Sequence, residues 1–140
     1  MANLDRFLAA QYTTFHNALL ELERGKKQSH WMWYVFPQLM GLGHSETARF
    51  YGINDLSEAK EFLAHCILGN RLIGISKVLM ALDQNDSLKI FGYPDQLKLQ
   101  SSMTLFAHVP GADQVFRAVI KQYFNGQMDE ATLKLLNEKA

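Results

Sequence analysis

The sequence predicts an all-α fold, a single compact domain of about seven or eight helices spanning residues 1–140. Three observations carry that expectation. Apolar residues recur at intervals of three and four along most of the chain, the spacing that lines one face of a helix. No long stretch alternates apolar with polar residues as a half-buried strand would. Only three prolines interrupt 140 residues, of which 48% are hydrophobic, so long helices and a filled core are both available. A chain of this length buries roughly two thirds of the surface its unfolded form exposes, which is enough for one core. No internal repeat, linker or low-complexity tract divides it.

Leu4, Phe7, Leu8, Tyr12, Phe15, Leu19 and Leu22 form the first stripe. Asn3 can cap its start, and Gly25 can end it in a left-handed conformation closed to most residues. Past Gly41 and Gly43, Ser45 caps a short helix reaching about Tyr51. Asp55 and Glu58 have the spacing of a capping box and open a helix toward Ala64. Leu68, Leu72, Ile75, Leu79 and Leu82 then make an unbroken stripe on a longer helix, with Gly74 beside it as a place of close approach. Asp86 caps a turn ending at Gly92. Pro94 suits the first turn of a helix running to Ala107, where its missing N–H would have no intrahelical partner. Helices from Gln114 to Phe124 and from Asp129 to about Asn137 complete the set, separated by the stop signal Asn125-Gly126.

Charge excludes some functions. Lysine plus arginine equals aspartate plus glutamate, 14 against 14, so no overall field draws the chain to nucleic-acid backbones or anionic lipid. The local basic run Arg24, Lys26 and Lys27 either complements the carbonyls at a helix end or binds phosphate. The lone Cys66 rules out an intramolecular disulfide and reads as a small buried residue. His16, His30, His44, His65 and His108 lack metal-ligand spacing, so neither metal nor cofactor is expected. There is no phosphate-binding loop, serine-hydrolase elbow or dinucleotide fingerprint. The start of the chain is unlike a secretory signal, and no apolar run approaches the roughly 18 residues of a membrane span. A cytoplasmic protein is expected.

The segment Ser29 to Gln38 carries the strongest functional signal, with Trp31, Trp33, Tyr34 and Phe36 inside six positions. Such rings wedge helices together, and most of them are expected in the core. Lys27, Ser29, His30 and Gln38 bracket them, however, and a packing segment gains little from so many hydrogen-bonding groups. A one-turn helix ending before Pro37 would put His30, Trp33, Tyr34 and Gln38 on one side. A second group lies after Pro94, where Lys98, Ser101 and Ser102 share a helical face. Those hydroxyls either bind ligand oxygens or bond back to their own helix.

These residues also resemble a known family. Gly25-Lys26-Lys27-Gln28-Ser29-His30-Trp31-Met32-Trp33, Phe36-Pro37-Gln38, Leu68-Gly69-Asn70-Arg71-Leu72 and Ser101-Ser102-Met103-Thr104-Leu105-Phe106 are similar to strings in a bacterial domain-of-unknown-function family, number eighteen-ten in that series. The likeness runs over nearly the whole chain and departs at Cys66-Ile67, where the family resembles Pro-Val. It implies an all-helical fold and no particular activity. Family members are often labelled calpastatin, which does not fit, because such inhibitors are extended and disordered. The family's helical build is loosely similar to a larger group that handles ADP-ribose and related N-glycosides, an analogy of fold only.

The expected function is binding of a small polar ligand of the nucleotide or ADP-ribose kind. Trp31 or Trp33 would stack on a base, and Gln38 would orient the ligand. Lys27, Arg71, Lys98 and the hydroxyls of Ser29, Ser101 and Ser102 would hold phosphate and ribose oxygens. If the ligand is hydrolysed, His30 is the catalytic acid or base. The rival expectation is a non-catalytic protein-interaction or regulatory module that uses exposed aromatic rings.

Overall fold

A computed structural model describes residues 3–139, which form nine helices. In chain order these are α1 (Asp5–Glu23), α2 (Met32–Val35), α3 (Glu46–Phe50), α4 (Leu56–Ala64) and α5 (Leu68–Ala81). They continue as α6 (Ser87–Phe91), α7 (Asp95–Ala107), α8 (Val115–Phe124) and α9 (Glu130–Lys139). The count exceeds the expected seven or eight because α2 forms, the one-turn helix before Pro37 that the sequence allowed. Among the described residues no strand forms, and an isolated parallel bridge pairs Leu39 with Ile53.

Local chemistry sets most of the helix ends. Gly25, at φ +79°, closes α1 while Gly25 N donates to Leu22 O and Lys26 N to Glu21 O, the paired bonds of a Schellman stop. Ser45 Oγ accepts from Ala48 N at 3.1 Å to start α3. Asp55 Oδ1 accepts from Glu58 N at 2.9 Å, but Glu58 returns its bond to Asn54 N, one residue before the capping-box position. Asp86 Oδ1 accepts from Leu88 N and Lys89 N at the start of α6. Asn3 Oδ1 accepts from Asp5 N at 2.9 Å, with Leu4 in the N-cap position of α1.

Helix α7 is the hub, packing against α4, α6, α8 and α9, while α5 packs against α1, α4 and α8. A chain of ring contacts ties these layers together: Phe7 to Phe62 at 5.1 Å, Phe62 to Phe106 at 5.4 Å and Phe106 to Phe116 at 5.9 Å. All four phenylalanines are fully buried, each side chain contributing about 1.5–3 kcal/mol by leaving water.

Three expectations need correction. The inward face of α1 is rotated from the apolar stripe, for Tyr12 is 86% exposed whereas Gln11 is 2% exposed and Glu21 is also buried. Cys66 is exposed in the α4–α5 connection. The place of close approach on α5 is Gly69, where an added Cβ would lie 2.0 Å from Leu63 O; at Gly74 it would meet nothing within 4 Å. Gly69→Ala should therefore lower stability by about 3 kcal/mol through overpacking. Gly74→Ala, in an open helix interior, should raise it by about 0.5–1 kcal/mol. Paired thermal melts of the two variants check these opposite signs.

Candidate functional site

Helix α1 turns Gln11 and Glu21 inward, where Glu21 binds the segment that leads into α2 and Gln11 binds α2 itself. Glu21 Oε1 accepts from Gln28 N at 2.6 Å, Ser29 N at 2.9 Å and the Trp31 indole N–H at 3.0 Å. Its Oε2 accepts from the Ser29 hydroxyl. Burial alone would push this carboxyl up, but bonds from Ser29, Gln28 and Trp31 outweigh it and hold the pKa at about 2. Gln11 Nε2 donates to Tyr34 O at 2.8 Å, and its Oε1 accepts from Arg71 Nη1 at 3.3 Å. Two buried polar side chains thus fix the loop before α2 and the helix itself.

Fixing that loop places Lys27 against the start of α7. Lys27 Nζ lies 2.8 Å from Asp95 Oδ2, donates to Ser29 O and sits 5.0 Å from the Trp31 ring centroid. Lys98 Nζ lies 3.1 Å from Asp95 Oδ1 and 4.5 Å from the Trp33 ring centroid. One carboxylate therefore joins two ammonium groups, each carried on the face of an indole. Burial pushes the Asp95 carboxyl up, but hydrogen bonds from Lys27 and Lys98 hold it below its usual range. As the first residue of α7, Asp95 also meets the positive end of the helix.

The site residues expected from the sequence have three kinds of surroundings. Lys27, Lys98, Trp31 and Trp33 converge, although Trp31 is only 1% exposed and packs near Phe36 and Phe91, so its face is closed to a base. Trp33 is half-buried, and a Cβ at Gly43 would lie 3.9 Å from its Cη2 and 3.6 Å from Nε2 of the buried Gln38. His30 is exposed, and its carbonyl accepts from the Tyr34 hydroxyl at 3.3 Å.

Four other residues face elsewhere. The Ser29 hydroxyl is committed to Glu21, and Arg71 is committed to Gln11 while lying 5.1 Å over the Phe15 ring. The Ser101 hydroxyl donates within 3.1 Å of Leu97 O and 3.0 Å of Asp129 Oδ2. Ser102 is fully buried and its Oγ has no partner. The two serines were expected beside Lys98, but the enclosing helices bury this part of α7 beyond a ligand's reach. Lys27 likewise binds Asp95 where the carbonyls of a helix end were one alternative.

Surface clefts of about 560, 510 and 480 Å³ are lined by other residues, so the Lys98–Trp33 patch belongs to none of them. Among the described residues, no group of three or more His, Cys, Asp or Glu is placed to hold a metal. Among the same residues no single helix is long and apolar enough to cross a membrane.

Sequence reasoning missed Gln11, Glu21 and Asp95. For the first two a signal existed: positions 7, 11, 18, 21 and 22 follow helical spacing, and a glutamine and a glutamate on that row mark buried polar contacts. Asp95 reads as an ordinary first-turn acid, and its partner Lys27 is joined to it only by the fold. Glu21 also makes a pH prediction. Its pKa falls from 4.5 to about 2, so its contribution is full above pH 4.5 and lost as pH drops toward 2. Glu21→Gln should lower stability at pH 7 by about 3 kcal/mol, since Gln cannot accept all four bonds. The gap between variant and wild type should close between pH 4.5 and 2 in denaturant titrations.

Comparison with known proteins agrees with this architecture. The crystal structure of the conserved hypothetical protein Rv1873 from Mycobacterium tuberculosis superposes with a TM-score of 0.93. It shares 45% sequence identity, over 96% of this chain and 96% of that one. No curated protein gives a significant match. The family model described as "Protein of unknown function (DUF1810)" matches residues 1–136, and the chain belongs to that family.

Proposed function

We propose that this domain binds a small polar ligand of the nucleotide or ADP-ribose class on the surface where Lys98 and Trp33 meet. The observation that supports it is the convergence of Lys27 and Lys98, distant in sequence, on one carboxylate beside two indoles. Such an arrangement holds an oxyanion in a fixed place and carries one positive charge in excess. Of the two lysines, Lys98 is the one a ligand can reach, because the Lys27 side chain is only 7% exposed and its ammonium already has partners. The half-buried Trp33 offers the aromatic wall that Trp31, enclosed in the core, does not.

The interaction-module alternative relies on exposed rings in this segment, and the burial of Trp31 and Phe36 weighs against it. In a catalytic version, the exposed His30 imidazole supplies the acid or base for hydrolysis of a glycosidic or phosphate bond. Thermal-shift measurement with nucleotides and ADP-ribose tests the proposal. A ligand at a hundred times its dissociation constant adds about 2.7 kcal/mol, a rise of several degrees for a chain this size. Lys98→Met and Trp33→Ala should abolish the rise and His30→Ala should leave it. The proposal fails if no member of the panel shifts the folded wild type.

A further inference from the structure

We propose that the Lys98–Asp95 pair recognises hydroxyl groups, namely the vicinal diol of a sugar ring, and that Asp95 turns the site away from free phosphate. This rests on the reading that a small polar ligand binds beside Lys98 and Trp33. A phosphate needs cations with uncommitted N–H groups, and Lys27 has little to give: its ammonium bonds Asp95 Oδ2 and Ser29 O and faces the Trp31 ring. Lys98 retains donors, for an ammonium has three N–H groups and only the bond to Asp95 Oδ1 engages it among its described hydrogen bonds.

The carboxylate between the lysines is open to solvent too, its side chain 22% exposed against 18% for Lys98. Each Asp95 oxygen accepts one ammonium N–H and keeps further acceptor capacity. For an incoming phosphate, Asp95 cancels one of the two ammonium charges, already takes an N–H from each, and sets its own negative charge at close range. A hydroxyl differs because it both donates and accepts. Two neighbouring hydroxyls satisfy the pair, one accepting from Lys98 Nζ and the other donating to Asp95, both in charge-assisted bonds. Lys98 is already held by Asp95 and by the Trp33 face, so binding orders little that is not ordered beforehand.

Titration of the full chain with ADP-ribose, adenosine, 2′,3′-dideoxyadenosine and inorganic phosphate tests the assignment. Adenosine should bind at least about tenfold more tightly than its dideoxy analogue, the worth of one hydrogen bond to a charged group. Inorganic phosphate should leave the wild type unshifted. Asp95→Asn should erase the preference for the diol and gain phosphate binding. Lys98→Met, which leaves the Lys27–Asp95 bond in place, should lose binding of adenosine, which has no phosphate, without gaining phosphate binding. If Asp95→Asn fails to fold, adenosine affinity retained by Lys98→Met overturns the inference. Equal affinity for adenosine and its dideoxy analogue, or phosphate binding by the wild type, overturns the inference. If ADP-ribose binds through Lys98 but no diol preference appears, this inference falls and the ligand-site reading stands. If no probe binds, both fall.

Discussion

The Glu21 carboxylate is the constraint on which the arrangement of the aromatic segment depends. An ion inside a protein costs several kcal/mol to desolvate, and it persists only where donors replace the lost water. Here the donors are two consecutive backbone amides, a hydroxyl and an indole N–H, all within one stretch of four residues. A neutral apolar residue at this position would leave those groups without partners, so the usual tolerance of cores for hydrophobic replacement does not extend to Glu21. Its bonds set the path of the chain from Gln28 to Trp31, which decides where Lys27 points and where α2 begins.

The Lys27–Asp95–Lys98 bridge follows from that path and from the start of α7. Lys27 N also donates to Ile90 O at 2.7 Å, which binds the same loop to the end of α6 just before the chain enters α7. Backbone and side-chain ties from one residue thus hold the loop against two helices. The indoles have a distinct role from the carboxylate: they offer polarisable faces to the ammonium groups and keep them close to Asp95 in a partly buried setting. Position, more than net charge, distinguishes these lysines from the other basic residues of a chain whose charges balance.

Much of the fold was legible in the sequence because its signals are local. Ser45, Asp86 and Gly25 act where cap chemistry puts them, and the α5 stripe from Leu68 to Leu79 is buried as its period requires. The failures share one cause, which is that tertiary contacts choose among locally equivalent options. The stripe through Tyr12 and the row through Gln11 are both helical, and the docking of α2 and α5 on α1 selects the second. Gly69 and Gly74 look alike in the sequence, but the turn of chain from α4 into α5 brings Leu63 O against the first alone. At the candidate site the residue types Lys27, Lys98 and Trp33 were readable, while the carboxylate joining them was not.

The burial of α7 limits where any ligand chemistry on this helix can occur. From Ser101 through Ala107 every residue is buried, since four other helices pack around that length. Hydroxyls there serve the fold: Ser101 and Thr132 both bond Asp129, and Thr104 Oγ1 accepts from Asp129 N, so these groups fasten α9 to the hub. Only the first turns of α7 reach solvent, and of their charged residues both Asp95 and Lys98 are drawn into the bridge beside the indoles. A string such as Ser-Ser-Met-Thr-Leu-Phe can therefore mark the family while holding the fold together, and the surface a ligand can reach is confined to the few residues where that helix begins.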